Sequence, residues 1–170
     1  MTFTLRSAQP ADALDLAALS IQVWLHTYAK SGIRGHLSRY VFDAFTQEKL
    51  AAEIADATKH LILCEVDECL VGFVKIGLPA HCPIRQINTP EIETLYVQAH
   101  FAGHGIGSAL LRAAMDHCRE RGWSDVFLLV NLENSRARQF YESKAFDRIG
   151  TVDFVLEDER HANAVLVKKL

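Results

Sequence analysis

The chain has 170 residues, of which 49% are hydrophobic and 23% charged, and its formal net charge is −3. That length suits one domain with a sizeable buried core, and the acidic balance argues against nucleic acid as the partner. No apolar run approaches the roughly 18 residues of a membrane span, and the opening MTFTLRSAQPAD lacks the apolar segment of a secretion signal. Cys64, Cys69, Cys82 and Cys118 form no C-x-x-C pair and sit mostly in apolar surroundings, which reads as reduced thiols in a cytoplasmic protein.

Phe3 to Arg6 alternates and predicts a first strand. Pro10 suits a first helical turn; Leu14, Ala18, Ile21, Leu25 and Tyr28 then recur at helical spacing, predicting an amphipathic helix with these positions as its apolar face. Two short helices are expected, around Leu37 to Phe45 and from Gln47 to Ala57, the second N-capped by Thr46. HLILCEV and LVGFVKIGL read as an antiparallel hairpin joined by a tight DEC turn; even were Cys64 and Cys69 to face each other across it, no disulfide is expected. Pro79 to Pro90 holds three of the four prolines without a clear period and is predicted as a loop. Glu91 to Val97 is the next strand, followed by a helix over 105–121 that Gly122 ends. Asp125 to Val130 is apolar without alternation, as in a central strand covered on both faces, and strand, helix and strand together form a crossover unit. A helix from Asn134 to Lys144 and strands near Phe146 to Phe154 and Ala162 to Val167 complete one mixed α/β domain spanning 1–170.

The most informative stretch is YVQAHFAGHGIGSALLRAAM, where Gly103, Gly105 and Gly107 precede a strongly periodic helix. Glycines at alternate positions leave backbone N–H groups uncovered, and a helix N-terminus adds about half a positive charge, so the stretch describes an anion cradle. An NTPase-type loop would need Lys followed by Ser or Thr, but Ser108-Ala109 follows Gly107. A dinucleotide fingerprint would need a third glycine where Leu110 stands. A plain surface turn without a ligand is the remaining alternative.

LYVQAHFAGHGIGSALL resembles the acetyl-CoA-dependent N-acetyltransferases of the GNAT superfamily, whose shared motif is Arg or Gln, two residues, Gly, one residue, Gly or Ala. NLENSRARQFYESKAF is similar to the same family's second signature at Asn134, Ala137, Phe140, Tyr141 and Phe146. The resemblance covers nearly the whole chain, and its opening, YVFDAFTQEKL and the tail EDERHANAVLVKKL are similar to bacterial spermidine/spermine N-acetyltransferases of the Pai type. It implies an α/β (α+β) GNAT fold: a single mixed, mostly antiparallel, splayed seven-stranded sheet flanked by helices. It further implies acetyl-CoA as co-substrate with no metal. The positions that would touch acetyl-CoA are Leu95, Tyr96, Val97, Ala102, Gly103, His104, Gly105, Ile106, Gly107, Ser108, Asn134, Ala137 and Tyr141.

Two positions depart from the family pattern. Ala102 replaces the Arg or Gln at the mouth of the loop, which predicts weakened pyrophosphate binding, because the cradle works mainly through backbone N–H groups. Ala145 replaces the glycine before the final Phe, and a left-handed turn there would cost alanine about 1 kcal/mol.

Acetyl transfer to an amine first needs a neutral nitrogen, and an alkyl ammonium at pH 7 is neutral in only about one molecule in 2500, so a general base is useful. Glu91 and Glu93 stand two apart on one strand and so share a face. The resemblance turns that face toward the acceptor, with Glu93 the first choice of base and Glu91 the second; two solvated carboxylates are the other reading. By the same resemblance a backbone N–H near Val97 meets the developing oxyanion. The departing thiolate has an ordinary pKa of about 8.5, and Tyr141, on the family's tyrosine, is assigned as the general acid, with a packing tyrosine as the alternative.

His100 and His104 flank the glycine loop without a third ligand, so no metal site is expected. Trp24 and Tyr28 read as core ahead of acceptor lining, and Glu91, Glu93, Asp153 and Glu157 are candidates for acidic walls around a polyamine. The expected reaction moves an acetyl group to a primary amine of a small molecule, a polyamine such as spermidine first. Acetylation of a protein N-terminus or lysine, and a CoA-binding domain that has lost catalysis, are the alternatives. The expected partner is the small-molecule amine, not nucleic acid or membrane, with the chain a monomer or homodimer.

Overall fold

Strand β1 (Thr4–Ser7) leads through a 3-10 turn at Pro10–Asp12 into helix α1 (Ala13–Tyr28), followed by α2 (Gly35–Ala44) and α3 (Gln47–Ala55). Next come β2 (Lys59–Val66), β3 (Cys69–Cys82), β4 (Ile87–Val97), a 3-10 turn at Ala99–Phe101 and α4 (Ile106–Glu120). The chain closes with β5 (Asp125–Asn131), α5 (Ser135–Ser143), β6 (Asp147–Leu156) and β7 (Glu159–Lys169). These elements come from a computed structural model that describes residues 1–156 and 159–170. The strands form one mixed seven-stranded sheet in the order β1-β2-β3-β4-β5-β7-β6, with β4 and β5 parallel and β1/β2, β5/β7 and β6/β7 antiparallel. The described β4/β5 register is the pair Glu91↔Phe127, which fits the expected splay. The chain divides into two compact units, Met1–Ile76 with Thr94–Ala114 and Gly77–Glu93 with Met115–Leu170.

In the first unit, Ala13, Leu16, Ala17 and Leu19 of α1 and Leu50 of α3 pack on Leu61, Leu63 and Phe73 of the hairpin. This corrects the apolar face expected of α1: Leu14 is 59% exposed and Tyr28 43% exposed, while Leu16, Ser20 and Trp24 are buried. α1 is apolar around most of its circumference, so periodicity alone cannot choose the face that the sheet covers. The other sequence signals in this unit are realised locally. Thr46 Oγ1 accepts from the Lys49 N–H at 3.2 Å and caps α3. Asp67 and Glu68 both take positive φ, 49° and 62°, which closes the β2–β3 hairpin with a two-residue turn. Arg6 donates to both Asp12 oxygens at 2.8 Å and to Glu65 at 2.5 Å, and the guanidinium holds the Asp12 carboxyl below its ordinary range.

In the second unit, Cys82, Phe127, Val165 and Val167 form a core between β3, β5 and β7. The loop expected from Pro79 to Pro90 is mostly strand, since β3 runs to Cys82 and β4 starts at Ile87, leaving a tight turn between them. Its cause is tertiary. Cys82 is fully buried, the Thr89 hydroxyl donates to the Asp125 carbonyl at 3.1 Å, and Arg85 pairs with the Asp125 carboxylate. β5 is also less covered than expected: Val126, Phe127 and Leu128 are buried, but Leu129 is 41% exposed. The cysteines are free thiols, and burial pushes those of Cys64 and Cys118 up to about 11. Among the described residues, no helix is long and apolar enough to cross a membrane.

Candidate active site

The glycine-rich segment lies between β4 and α4. Gly103 and Gly105 both take φ of +84°, a left-handed conformation that glycine adopts without strain. Ala109 N–H donates to the Gly105 carbonyl at 3.0 Å and marks the first full turn of α4. The N–H groups of the first turn of α4 lack an intrahelical acceptor, as at every helix start. They stand at the positive end of a 15-residue helix, where the helix dipole favours an anion. The helix is held by its apolar face, with Ile106, Leu110, Leu111, Ala114 and Cys118 all buried. Ala102 is half-buried in the turn before Gly103.

The part of β4 that leads into this segment is fixed by close backbone approach. A Cβ on Gly72 of β3 would lie 2.7 Å from the Tyr96 carbonyl oxygen and 3.2 Å from a Val97 methyl, so only glycine lets β3 come this near. Gln98 N–H donates to the Val71 carbonyl at 2.9 Å, and the Tyr96 ring meets Phe73 edge-on at 5.6 Å.

Tyr141 is placed by both ends of α5. The Asn134 side chain accepts from the Ala137 N–H at 3.1 Å and N-caps the helix, which commits that oxygen to the backbone. At the other end, Phe146 N–H donates to the Tyr141 carbonyl at 3.1 Å and Ala145 N–H to the Glu142 carbonyl at 3.0 Å, the bond pair of a Schellman turn. Ala145 takes φ of +57° to close that turn, as its place in the motif predicted. The turn sets Phe146 against Tyr141 with ring centroids 5.5 Å apart, and Phe140 packs on the same ring at 5.2 Å. Tyr141 is 8% exposed, and burial alone drives its phenol pKa well above the ordinary value of 10. Its hydroxyl therefore stays protonated across the physiological range and keeps a proton to donate.

Glu91 and Glu93 are both half-buried on β4. Glu91 stands at the parallel pair with Phe127, where Thr89 ties β4 to the start of β5. Glu93 reaches over β3, with Oε1 2.6 Å from where a Cβ on Gly77 would stand. Gly72 and Gly77 were absent from the sequence-level candidates, although a glycine inside an apolar strand signals close approach.

A strand leading to a glycine-rich helix start, with a buried tyrosine on a later helix, is the arrangement that the sequence resemblance implies. The profile described as Acetyltransferase (GNAT) family matches residues 23–146. The chain belongs to the GNAT acetyltransferase family. It is similar to an uncharacterized N-acetyltransferase of Lactobacillus delbrueckii subsp. lactis, 28% identical over 160 residues that cover 94% of this chain and 92% of the relative. It is also similar to the spermidine N(1)-acetyltransferase of Thermoplasma acidophilum, 25% identical over 164 residues, 92% of this chain and 97% of that one. Among solved structures, the PaiA N-acetyltransferase of Thermoplasma acidophilum in complex with coenzyme A has a TM-score of 0.83 at 22% identity, with 100% of both chains covered. The Escherichia coli ribosomal-protein-S18-alanine N-acetyltransferase shares the fold at a TM-score of 0.69 and 16% identity, over 99% of this chain and 94% of that one.

The acetyltransferase takes acetyl-CoA as co-substrate. Among the described residues, no group of three His, Cys, Asp or Glu is placed to hold a metal ion; His100 and His104 are exposed beside the loop. Trp24 is buried and stacks on Tyr40 at 4.7 Å, whereas Tyr28, 4.8 Å from Trp24, opens to solvent. Burial raises the phenol pKa of both Tyr28 and Tyr40. Of the acidic wall candidates, Asp153 faces Arg160 at 3.4 Å on the surface, and Glu157 lies outside the described residues.

Proposed function

We propose that this acetyltransferase, as a single N-acetyltransferase domain over 1–170, acetylates a primary amine of a small cationic molecule, a polyamine such as spermidine first. The glycine-rich start of α4 carries the reading, because N–H groups at a helix start suit the pyrophosphate of a polyanionic carrier. The likeness to a spermidine N(1)-acetyltransferase over nearly the full length supports the acceptor class. Backbone groups of Leu95, Tyr96 and Val97 align the carrier's arm, and the Val97 N–H donates to the carbonyl oxygen as negative charge builds on it. Glu93, with Glu91 second, accepts the proton that the ammonium must lose before its nitrogen bonds to the acyl carbon. The Tyr141 hydroxyl gives a proton to the departing sulfur as the carbon–sulfur bond breaks; the nitrogen, cationic once bonded to carbon, releases its second proton to solvent as Tyr141 is reprotonated.

The test is thiol release by the full chain with acetyl-CoA and a panel of spermidine, spermine, putrescine, free lysine and a peptide with an N-terminal alanine. Spermidine or spermine is expected to lead in kcat/KM by about tenfold, worth about 1.4 kcal/mol of transition-state binding. A peptide in the lead would overturn the polyamine assignment. Acetyl-CoA binding without turnover of any amine would overturn catalysis itself.

A further inference from the structure

Two glycines interrupt β3, and they do different things. A Cβ on Gly72 would strike a backbone oxygen, which cannot move without moving β4. A Cβ on Gly77 would come within 2.6 Å of Glu93 Oε1, 3.4 Å of its carboxyl carbon and 3.6 Å of the Ala80 methyl. Its severe contact is thus with the end of one rotatable side chain. Gly77 does not have the left-handed φ that would itself demand glycine. A strand interior ordinarily disfavours glycine, which packs nothing and loses more chain entropy than alanine. The missing side chain at position 77 is therefore filled by the Glu93 carboxylate.

We infer that Gly77 is a positioning residue for Glu93: by leaving its Cβ space empty, it lets the carboxylate lie over β3 in the rotamer used to take the ammonium proton. The inference rests on the reading of Glu93 as base. Alanine at 77 would leave the sheet standing, because the carboxylate can swing aside, but would move it from its station by a distance comparable to the contact deficit. Misplacement of about 1 Å in a catalytic group costs up to about a hundredfold in rate. The expected signature of Gly77→Ala is a kcat lowered about tenfold or more, with KM for acetyl-CoA unchanged.

The experiment measures steady-state kinetics, using the best amine of the panel, for wild type, Gly77→Ala, Glu93→Gln and the double variant. Glutamine keeps the bulk of the side chain and removes its basicity. If Gly77 acts through the base, Gly77→Ala adds no further loss once Glu93 is Gln. The same fold-loss in both backgrounds would mean a general structural effect and would overturn the inference. Glu93→Gln impaired with Gly77→Ala unimpaired would sink the positioning role alone; Glu93→Gln at full activity would sink the base assignment and the positioning role with it. Thermal unfolding supplies an arm independent of turnover: Gly77→Ala is expected to lower Tm, and in a Glu93→Ala background, where the space is empty, that loss relative to Glu93→Ala alone is expected to be restored. Failure of that restoration would show that the new Cβ meets something other than Glu93 and would overturn the proposal, even if Gly77→Ala alone did not fold.

Discussion

Replacing Ala145 by glycine should stabilise the protein. Ala145 carries φ of +57° at the end of α5, where a left-handed residue costs an L-amino acid about 1–2 kcal/mol. Glycine removes that strain but adds about 0.4–1 kcal/mol of unfolded-chain entropy, so the net gain is about 0.5–1 kcal/mol. The methyl lost is exposed, and both hydrogen bonds of the turn use backbone atoms that glycine retains, so no packing is forfeited. For a chain of 170 residues the unfolding entropy is about 0.36 kcal/mol/K, which converts the gain into a Tm rise of about 1.5–3 °C. Differential scanning calorimetry at neutral pH measures this directly, with Ala145→Val as the opposite control, since a β-branched residue is strained further at positive φ. A Tm for Ala145→Gly equal to or below that of wild type would refute the strain argument.

Tyr141→Phe should lower turnover about a hundredfold or more while leaving acetyl-CoA affinity within about twofold in a calorimetric titration, since the ring contacts to Phe140 and Phe146 survive; unchanged turnover would remove Tyr141 from the chemistry. The same variant reports on burial. The raised phenol pKa means that above about pH 10 the unfolded chain sheds a proton that the native chain keeps, so this group makes wild type lose about 1.4 kcal/mol per pH unit. Tyr141→Phe should therefore lose stability less steeply in denaturant unfolding between pH 10 and 11, and parallel curves would contradict the buried phenol. Ala102→Arg, which returns a charged side chain to the mouth of the cradle, should tighten acetyl-CoA binding by about threefold to fivefold at low salt and less at high salt. Equal affinity in both would place position 102 away from the phosphates.

The features read correctly from the sequence are those that a few neighbouring residues decide. Thr46 caps α3 because its short side chain sets an oxygen beside an N–H three residues on, and Gly122 ends α4 with φ of +80° because a left-handed residue must follow there. Gly103 and Gly105 belong to the same class, since their left-handed φ of +84° is local backbone geometry. Tyr141, Phe140 and Phe146 meet through a single turn, so their motif also carried its own geometry.

Other features depended on partners far away in the chain. The buried face of α1 was misread because several faces are apolar and only docking against Leu61, Leu63 and Phe73 selects one. The proline-rich segment from Pro79 to Pro90 became strand because Thr89 and Arg85 bond to Asp125, 36 and 40 residues on. The role of Gly77 is invisible without knowing that Glu93 crosses its Cα. The sequence by itself determined the family, the turn glycines before α4 and the helix that holds Tyr141, because each rests on interactions within about a dozen residues. Only the tertiary structure decided which side of α1 is core, where β3 and β4 end, and what fills the space above Gly77. Those depend on surfaces brought together from distant parts of the chain, whose pairing no local pattern encodes.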